Sequence, residues 1–152
     1  MGKITIIIKH LGLTDIGYAL YKQIENLKKE YDVSILYEEN VQPFFNFPCS
    51  KLSIGRLWQD QTNDGIIIAT SLYSAELVYK LTNLKRKIFY VWDLEFLWNK
   101  KDFLENQKIF NMLPLVTRSE SYASCISNYC NIQPSVINDF NLKEIIDEYR
   151  SV

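Results

Sequence analysis

The fold is decided by KITIII (residues 3–8), a run in which apolar residues fall on both faces of a strand, followed by HLGLTDIG (residues 10–17). Apolar residues three or four apart then predict an amphipathic helix that begins at Thr14 or Asp15 and ends at Tyr31. A strand that is buried on both faces is typical of a parallel sheet covered by helices on each side.

Further apolar runs and amphipathic segments alternate along the chain. Strands are predicted at 33–37, 65–71, 87–92, 113–117 and 135–137, and helices at 72–81, 102–110, 119–131 and from 141 onward. This alternation predicts an α/β fold, a Rossmann-like three-layer α/β/α sandwich with a mostly parallel sheet, over a single domain 1–152. The irregular segment 38–64 is long enough that a short strand or helix is expected near 52–58.

Composition and charge exclude some partners. Apolar residues make up 47% of the 152 residues and charged ones 23%, as in ordinary globular proteins. With 17 basic and 18 acidic residues the net charge is −1, so the basic footprint of a nucleic-acid-binding protein is missing. No apolar run approaches the roughly 20 residues of a membrane-spanning helix.

Cysteine and histidine usage bears on compartment and metals. The three cysteines, at 49, 125 and 130, are odd in number and lack CxxC spacing, and no signal peptide is recognisable. We therefore expect free thiols and a cytoplasmic location. Because the chain has one histidine, we expect no structural zinc site, and we expect neither a metal nor a cofactor.

The loop after the first strand is the first candidate site, because ligands bind beyond the carboxyl ends of parallel strands. His10 is a candidate base or hydrogen-bonding partner for a ligand hydroxyl. The alternative is a loop imidazole that binds a backbone carbonyl. Gly12 suggests close backbone approach to a bulky group, and Asp15 lies beside it, although the loop lacks the GxGxxG spacing of dinucleotide sites.

The ends of two later strands supply the other candidates. Asp93 and Glu95 can accept hydroxyl protons or bind a sugar, and Trp92 offers a stacking face; alternatively, Asp93 is only the N-cap of the next helix. Arg118 can bind a phosphate or carboxylate, or form a surface ion pair. Ser119 is expected to be a helix cap.

Residues 115–141 resemble the end of the N-terminal domain of GT-B glycosyltransferases of the family 4 or "group 1" type. In that pattern a strand ends in a serine, matched by Ser119, and a helix and short strand lead to an exit segment similar to VINDFN at 136–141. Gly12 corresponds to the family's glycine-containing loop, although the adjacent glycine pair is absent. Trp92 to Glu95 falls where such enzymes often have a histidine or aspartate facing the acceptor.

The resemblance also extends to short glycosyltransferase proteins of tailed phages of marine bacteria, which would place the chain in the host cytoplasm. It implies half of a GT-B fold, the acceptor side, with a nucleotide-sugar and an acceptor hydroxyl as ligands. Asp93 or His10 would act on the acceptor hydroxyl, Trp92 and Glu95 would contact sugar, and Gly12 would touch donor phosphates. Because the second domain of these enzymes holds the sugar nucleotide, the resemblance implies that catalysis needs a homodimer, a second chain or an altered donor site.

Two other functions remain open at this point. The chain is alternatively a non-catalytic Rossmann-like binding or assembly module that has lost the donor half, with the aromatic loop 43–48 engaging a partner protein. A small nucleotide-binding regulator that uses the same strand ends is the third hypothesis.

Overall fold

Seven parallel strands form one sheet in the computed structural model, which describes residues 2–59, 65–82, 86–97 and 103–150. The strands are β1 (Gly2–Ile8), β2 (Tyr31–Tyr37), β3 (Ser50–Ser53), β4 (Ile66–Ala69), β5 (Arg86–Val91), β6 (Leu115–Thr117) and β7 (Ser135–Val136). The helices are α1 (Asp15–Leu27), α2 (Leu72–Tyr79), α3 (Phe103–Phe110), α4 (Glu120–Cys130) and α5 (Leu142–Tyr149). The strand order is β3-β2-β1-β4-β5-β6-β7.

Helices cover both faces of this sheet. On one face α1 and α5 pack against β1 through Leu20, Ile24 and Ile145, which share a core with Ile4 and Ile6. On the other face α2, α3 and α4 form a second core with the alternate strand residues, including Ile7, Ile67 and Phe89. The predicted Rossmann-like three-layer sandwich is therefore confirmed, and its layers follow from strands that are apolar on both faces.

The chain reverses direction across the sheet between β1 and β4. From β1 it moves outward to β2 and β3, then returns to β4 on the other side of β1 and continues to β7. In open parallel sheets a crevice forms at this switch point, outside the carboxyl ends of the two strands. A ligand site is therefore expected among the segments that follow β1 and β4.

The predicted end of the first helix is wrong. The helix α1 begins after Thr14, whose side chain accepts a hydrogen bond from the Gly17 N–H, and it ends at Leu27. Tyr31 instead begins β2, where it pairs with Gly2. The apolar spacing extends to Tyr31 although this residue is not helical, because its ring packs against the same core as the helix.

The irregular segment contains the short elements expected near 52–58. Strand β3 pairs with β2 at the edge of the sheet, and a 3₁₀ helix, Ile54–Arg56, follows it. The end of the predicted segment, 60–64, lies outside the described residues, as does the predicted start of α3 at residue 102.

Two further expectations concern the cysteines and the membrane. All three cysteines are free thiols. Among the helices that the structure describes, none combines the length and the apolar character needed to span a bilayer.

Candidate active site

The carboxyl edge of the sheet carries the candidate residues. His10 follows β1, Trp92 and Asp93 follow β5, and Arg118 follows β6. All of these except His10 belong to two groups of residues, which we call the acidic crevice (Glu38, Ser71, Asp93 and Glu95) and the arginine stack (Trp92, Arg118 and Tyr122).

The acidic crevice surrounds the N-terminus of α2 at the switch point. The Ser71 hydroxyl donates to Glu38 Oε2 at 3.0 Å. The Leu72 N–H donates to Glu95 Oε1 at 2.9 Å. The first N–H groups of a helix lack partners within the helix and carry partial positive charge, so they attract carboxylates. Two carboxylates from different loops are therefore held beside the start of one helix.

Burial and like charge disfavour ionisation of these carboxylates. The pKa of Glu95 is raised above its usual value, mainly because the half-buried side chain loses solvation. The neighbouring carboxylates of Glu38 and Asp93 raise it further, whereas the Leu72 N–H and Lys9 lower it. Loss of solvation likewise raises the pKa of Glu38, against the Ser71 hydrogen bond and Lys9. Such carboxylates accept hydrogen bonds readily and take up a proton closer to neutral pH than free ones.

Asp93 is the exposed member of the acidic crevice. Its carboxylate forms no hydrogen bond or ion pair within the described part of the chain. The alternative role as N-cap of the next helix is wrong, because the next helical element is a 3₁₀ helix, Glu95–Leu97, which begins two residues after Asp93, and α3 begins at Phe103. Asp93 therefore presents a solvent-facing acceptor beside the more buried Glu95.

His10 is already engaged by its own loop. The Gly12 N–H donates to His10 Nδ1 at 3.0 Å, so the neutral imidazole carries its proton on Nε2. The partner is an amide N–H and not the expected carbonyl. A general base needs an unprotonated nitrogen, and the one in His10 faces Gly12. The geometry favours His10 as a donor through Nε2–H over His10 as a base.

Gly12 approaches its own neighbours closely. A Cβ built on Gly12 would lie 2.9 Å from His10 Nδ1 and 3.0 Å from Val41 Cγ1, which no real side chain tolerates without a shift. Its N–H, the group a phosphate would use, is donated to His10. Asp15 lies in the first turn of α1, where its negative charge opposes a bound anion. Close packing within the loop is therefore sufficient to explain why residue 12 is a glycine.

The arginine stack joins the ends of β5 and β6. Val91 pairs with Thr117 in the sheet, so the residues that follow, Trp92 and Arg118, lie side by side. The Arg118 guanidinium carbon lies 4.6 Å from the Trp92 ring centroid and 4.8 Å from that of Tyr122, and Nη2 donates to the Tyr122 hydroxyl at 2.8 Å. The cation therefore lies within cation–π distance of two aromatic rings.

The predicted surface ion pair of Arg118 is wrong for the part of the chain that the structure describes, because no carboxylate there lies within ion-pair distance. One face of Trp92 is occupied by the guanidinium, so this indole is not a fully open stacking surface. Ser119 is confirmed as the cap of α4, since its Oγ accepts from the Tyr122 N–H at 3.2 Å.

A buried hydrogen-bond network fixes the segment behind the arginine stack. The Tyr90 hydroxyl donates to the Ile137 carbonyl at 2.6 Å and accepts from the Phe140 N–H at 3.1 Å. Asp139 and Phe140 both adopt left-handed backbone, with φ of 56° and 52°, which is uncommon outside glycine and asparagine. The Phe140 ring lies edge-on to Tyr90 and Trp92. The network thereby holds the Trp92 ring in place.

An aromatic cluster lies on the other side of the first loop. Phe45 is within ring-contact distance of Tyr18, Tyr21, Phe44 and Phe47. Phe47 is buried, whereas Phe44 is 63% exposed and Tyr18 53% exposed. The expected aromatic loop therefore has a buried anchor and an exposed rim.

Sequence reasoning missed Glu38 as a member of the site. The sequence contains a signal for this residue, because Glu38 directly follows the buried strand β2, just as Trp92 and Asp93 follow β5. Ser71 is the N-cap of α2 and accepts from the Ser74 N–H at 3.0 Å. Its bond to Glu38 joins segments 33 residues apart and has no local signature.

Metals and relatives add nothing further to the site. Among the described residues, no group of three or more histidine, cysteine or acidic side chains is arranged to hold a metal ion. No protein-family model, curated protein or solved structure matches this chain. The functional argument therefore depends on the geometry of the site.

Proposed function

We propose that the carboxyl edge of the sheet binds the hydroxyl groups of a sugar, and that the chain is the acceptor-binding lobe of a glycosyltransferase-type protein. The observation that carries this proposal is the convergence of Glu38, Asp93 and Glu95 at the switch-point crevice. Carboxylate oxygens accept hydrogen bonds and are suited to the many donors of a sugar.

The same crevice is a poor match for a nucleotide diphosphate. Phosphate sites at strand ends use free backbone N–H groups at a helix N-terminus. Here the Gly12 N–H is donated to His10, and the Leu72 N–H to Glu95. Neighbouring carboxylates would also repel a phosphate. These features favour an acceptor sugar in this lobe, with the sugar nucleotide held by a second chain or a second copy of this one.

Each residue then has a role that its contacts support. Asp93, exposed and without a partner in the described part of the chain, accepts the proton of the reacting hydroxyl. Glu95 accepts a hydrogen bond from a second hydroxyl while its other oxygen keeps the Leu72 N–H. His10 donates from Nε2 to a sugar oxygen.

Calorimetric titration of the purified chain tests this proposal. Neutral mono- and disaccharides are titrated beside UDP, GDP and their sugars, and the mass in solution is measured in parallel. We expect saturable sugar binding that Asp93→Asn and Glu95→Gln each weaken, with Asp32→Asn as a control at the opposite end of β2. Undiminished binding in both crevice variants, or no sugar binding at all, contradicts the proposal.

The exposed aromatic rim favours a second candidate, a binding or assembly module. Exposed apolar patches on a protein surface mark interaction sites when several large side chains are contiguous. Phe44 and Tyr18 form such a rim around Phe45. A chain that binds no sugar or nucleotide, and whose concentration-dependent association is lost in Phe44→Ser, favours this function over the first.

A further inference from the structure

The guanidinium of the arginine stack has N–H donors that bind no other described residue. A guanidinium has five N–H groups, and within the described ranges Arg118 makes one hydrogen bond, from Nη2 to the Tyr122 hydroxyl. The rings of Trp92 and Tyr122 hold the plane of Arg118 in position. Burial mainly raises the pKa of Tyr90, and the charges of Arg118 and Asp139 both influence it. The Asp139 carboxylate nevertheless forms no ion pair with the Arg118 guanidinium.

We propose that Arg118 binds an anionic group, a phosphate or carboxylate, carried by the acceptor sugar. The guanidinium of an arginine is a planar fork of N–H donors, and the donors of Arg118 that do not bind Tyr122 match the two oxygens of a carboxylate or phosphate. This inference rests on the proposed function, because it places the rest of the sugar in the acidic crevice. It adds the substrate class: the acceptor is an acidic or phosphorylated sugar.

The sheet places the backbones of the two groups at the ends of adjacent strands. Trp92 and Arg118 follow a pair of hydrogen-bonded strand residues, and Asp93 follows Trp92 directly. Adjacent strands lie about 4.8 Å apart. A sugar that donates a hydroxyl to Asp93 can therefore extend its anionic substituent across one strand to Arg118. The charges of the crevice and the stack are opposite, which fixes the direction of such a ligand.

Substitutions of Arg118 distinguish an anion-binding role from a purely structural one. An arginine that only filled the space between two rings would be replaceable by other residues of similar length. A lysine keeps the charge but loses the planar fork that stacks and binds two oxygens at once. The Arg118→Lys variant therefore tests the fork without removing the positive charge.

The experiment measures binding of glucose, glucuronate, glucose 6-phosphate and inorganic phosphate to the full chain. Binding is followed by calorimetry and by the arginine Nε–Hε signals in NMR. We expect the two anionic sugars to bind about tenfold more tightly than glucose, with the Arg118 signal shifting on titration. Arg118→Gln removes this preference and Arg118→Lys reduces it. Arg150→Gln, at the end of α5 and beside the start of β1, leaves it unchanged.

The outcomes separate this inference from the proposed function. Equal affinities for glucose and its anionic derivatives, or a preference that survives in Arg118→Gln, overturn the inference. If glucose still binds through Asp93 and Glu95 in that case, the proposed function stands. Failure of phosphate and both anionic sugars to bind overturns the inference whatever the neutral sugar does. The inference is supported when a carboxylate or a phosphate gives the Arg118-dependent gain, and the stronger of the two identifies the anion.

Discussion

Replacing Tyr90 with phenylalanine tests how the site is held together. The hydroxyl of Tyr90 is buried and makes two hydrogen bonds, to the Ile137 carbonyl and from the Phe140 N–H. Tyr90→Phe keeps the ring, and with it the edge-on contact with Phe140. The perturbation is therefore confined to one oxygen atom.

The expected loss of stability follows from the two groups left behind. In Tyr90→Phe a buried carbonyl and a buried N–H each lose their partner, and an unsatisfied buried group costs about 1–3 kcal/mol. We expect the free energy of unfolding to fall by about 2–4 kcal/mol in total, since relaxation of the 137–142 segment offsets part of the cost. Burial raises the pKa of Tyr90 to about 12, so the hydroxyl remains protonated near neutral pH.

Urea unfolding followed by circular dichroism measures this change. Tyr79→Phe is the matched control, because Tyr79 is exposed and we expect a change within about 0.5 kcal/mol there. If Tyr90→Phe unfolds at the same urea concentration as the control with an unchanged slope, the network does not stabilise the segment. The reasoning that this network positions Trp92 would then be refuted.

Two further changes probe the crevice and the first loop. The folded chain binds the Glu95 proton more tightly than the unfolded chain, because burial raises the pKa of Glu95 above 4.5. This group therefore lowers stability as pH rises from about 4.5 through the folded pKa, and Glu95→Gln should flatten the pH dependence of the urea midpoint in that range. An unchanged pH profile would contradict this. Gly12→Ala should cost about 1–3 kcal/mol and shift the His10 ring signals in NMR, since the new Cβ would lie 2.9 Å from Nδ1. Gly55→Ala is its control, because the new Cβ would meet Ser53 Oγ at 3.8 Å and no other described residue, and the free energy of unfolding should change by less than about 0.5 kcal/mol.

The layers of the fold were predictable because the strands are apolar on both faces. A run such as residues 4–8 has one stable environment, the interior of a helix-covered parallel sheet. The end of α1 was not predictable from spacing, because Tyr31 serves the same core from a strand. Apolar spacing predicts that a residue packs into the core, but it does not predict whether that residue belongs to a helix or to a strand.

The site was predictable in position and not in contacts. That His10, Trp92, Asp93 and Arg118 lie at the carboxyl edge follows from their places after predicted strands. The bond between Glu38 and Ser71 depends on which strands become neighbours. The stacking of Arg118 on Trp92 likewise depends on the register between β5 and β6. Pairing and register are tertiary properties, so no local pattern encodes these contacts.

The acidic crevice is more highly charged than the start of α2 requires. Ser71 already accepts the Ser74 N–H, so the helix has its cap without a carboxylate. Glu38 and Glu95 add two half-buried carboxylates; burial raises the pKa of each, and the charge of Glu38 raises the pKa of Glu95 further. Residues that oppose local stability concentrate at functional sites. Glu95→Gln should therefore act in opposite directions, stabilising the fold near neutral pH while weakening sugar binding, whereas a mere helix cap would lose stability and leave binding unchanged.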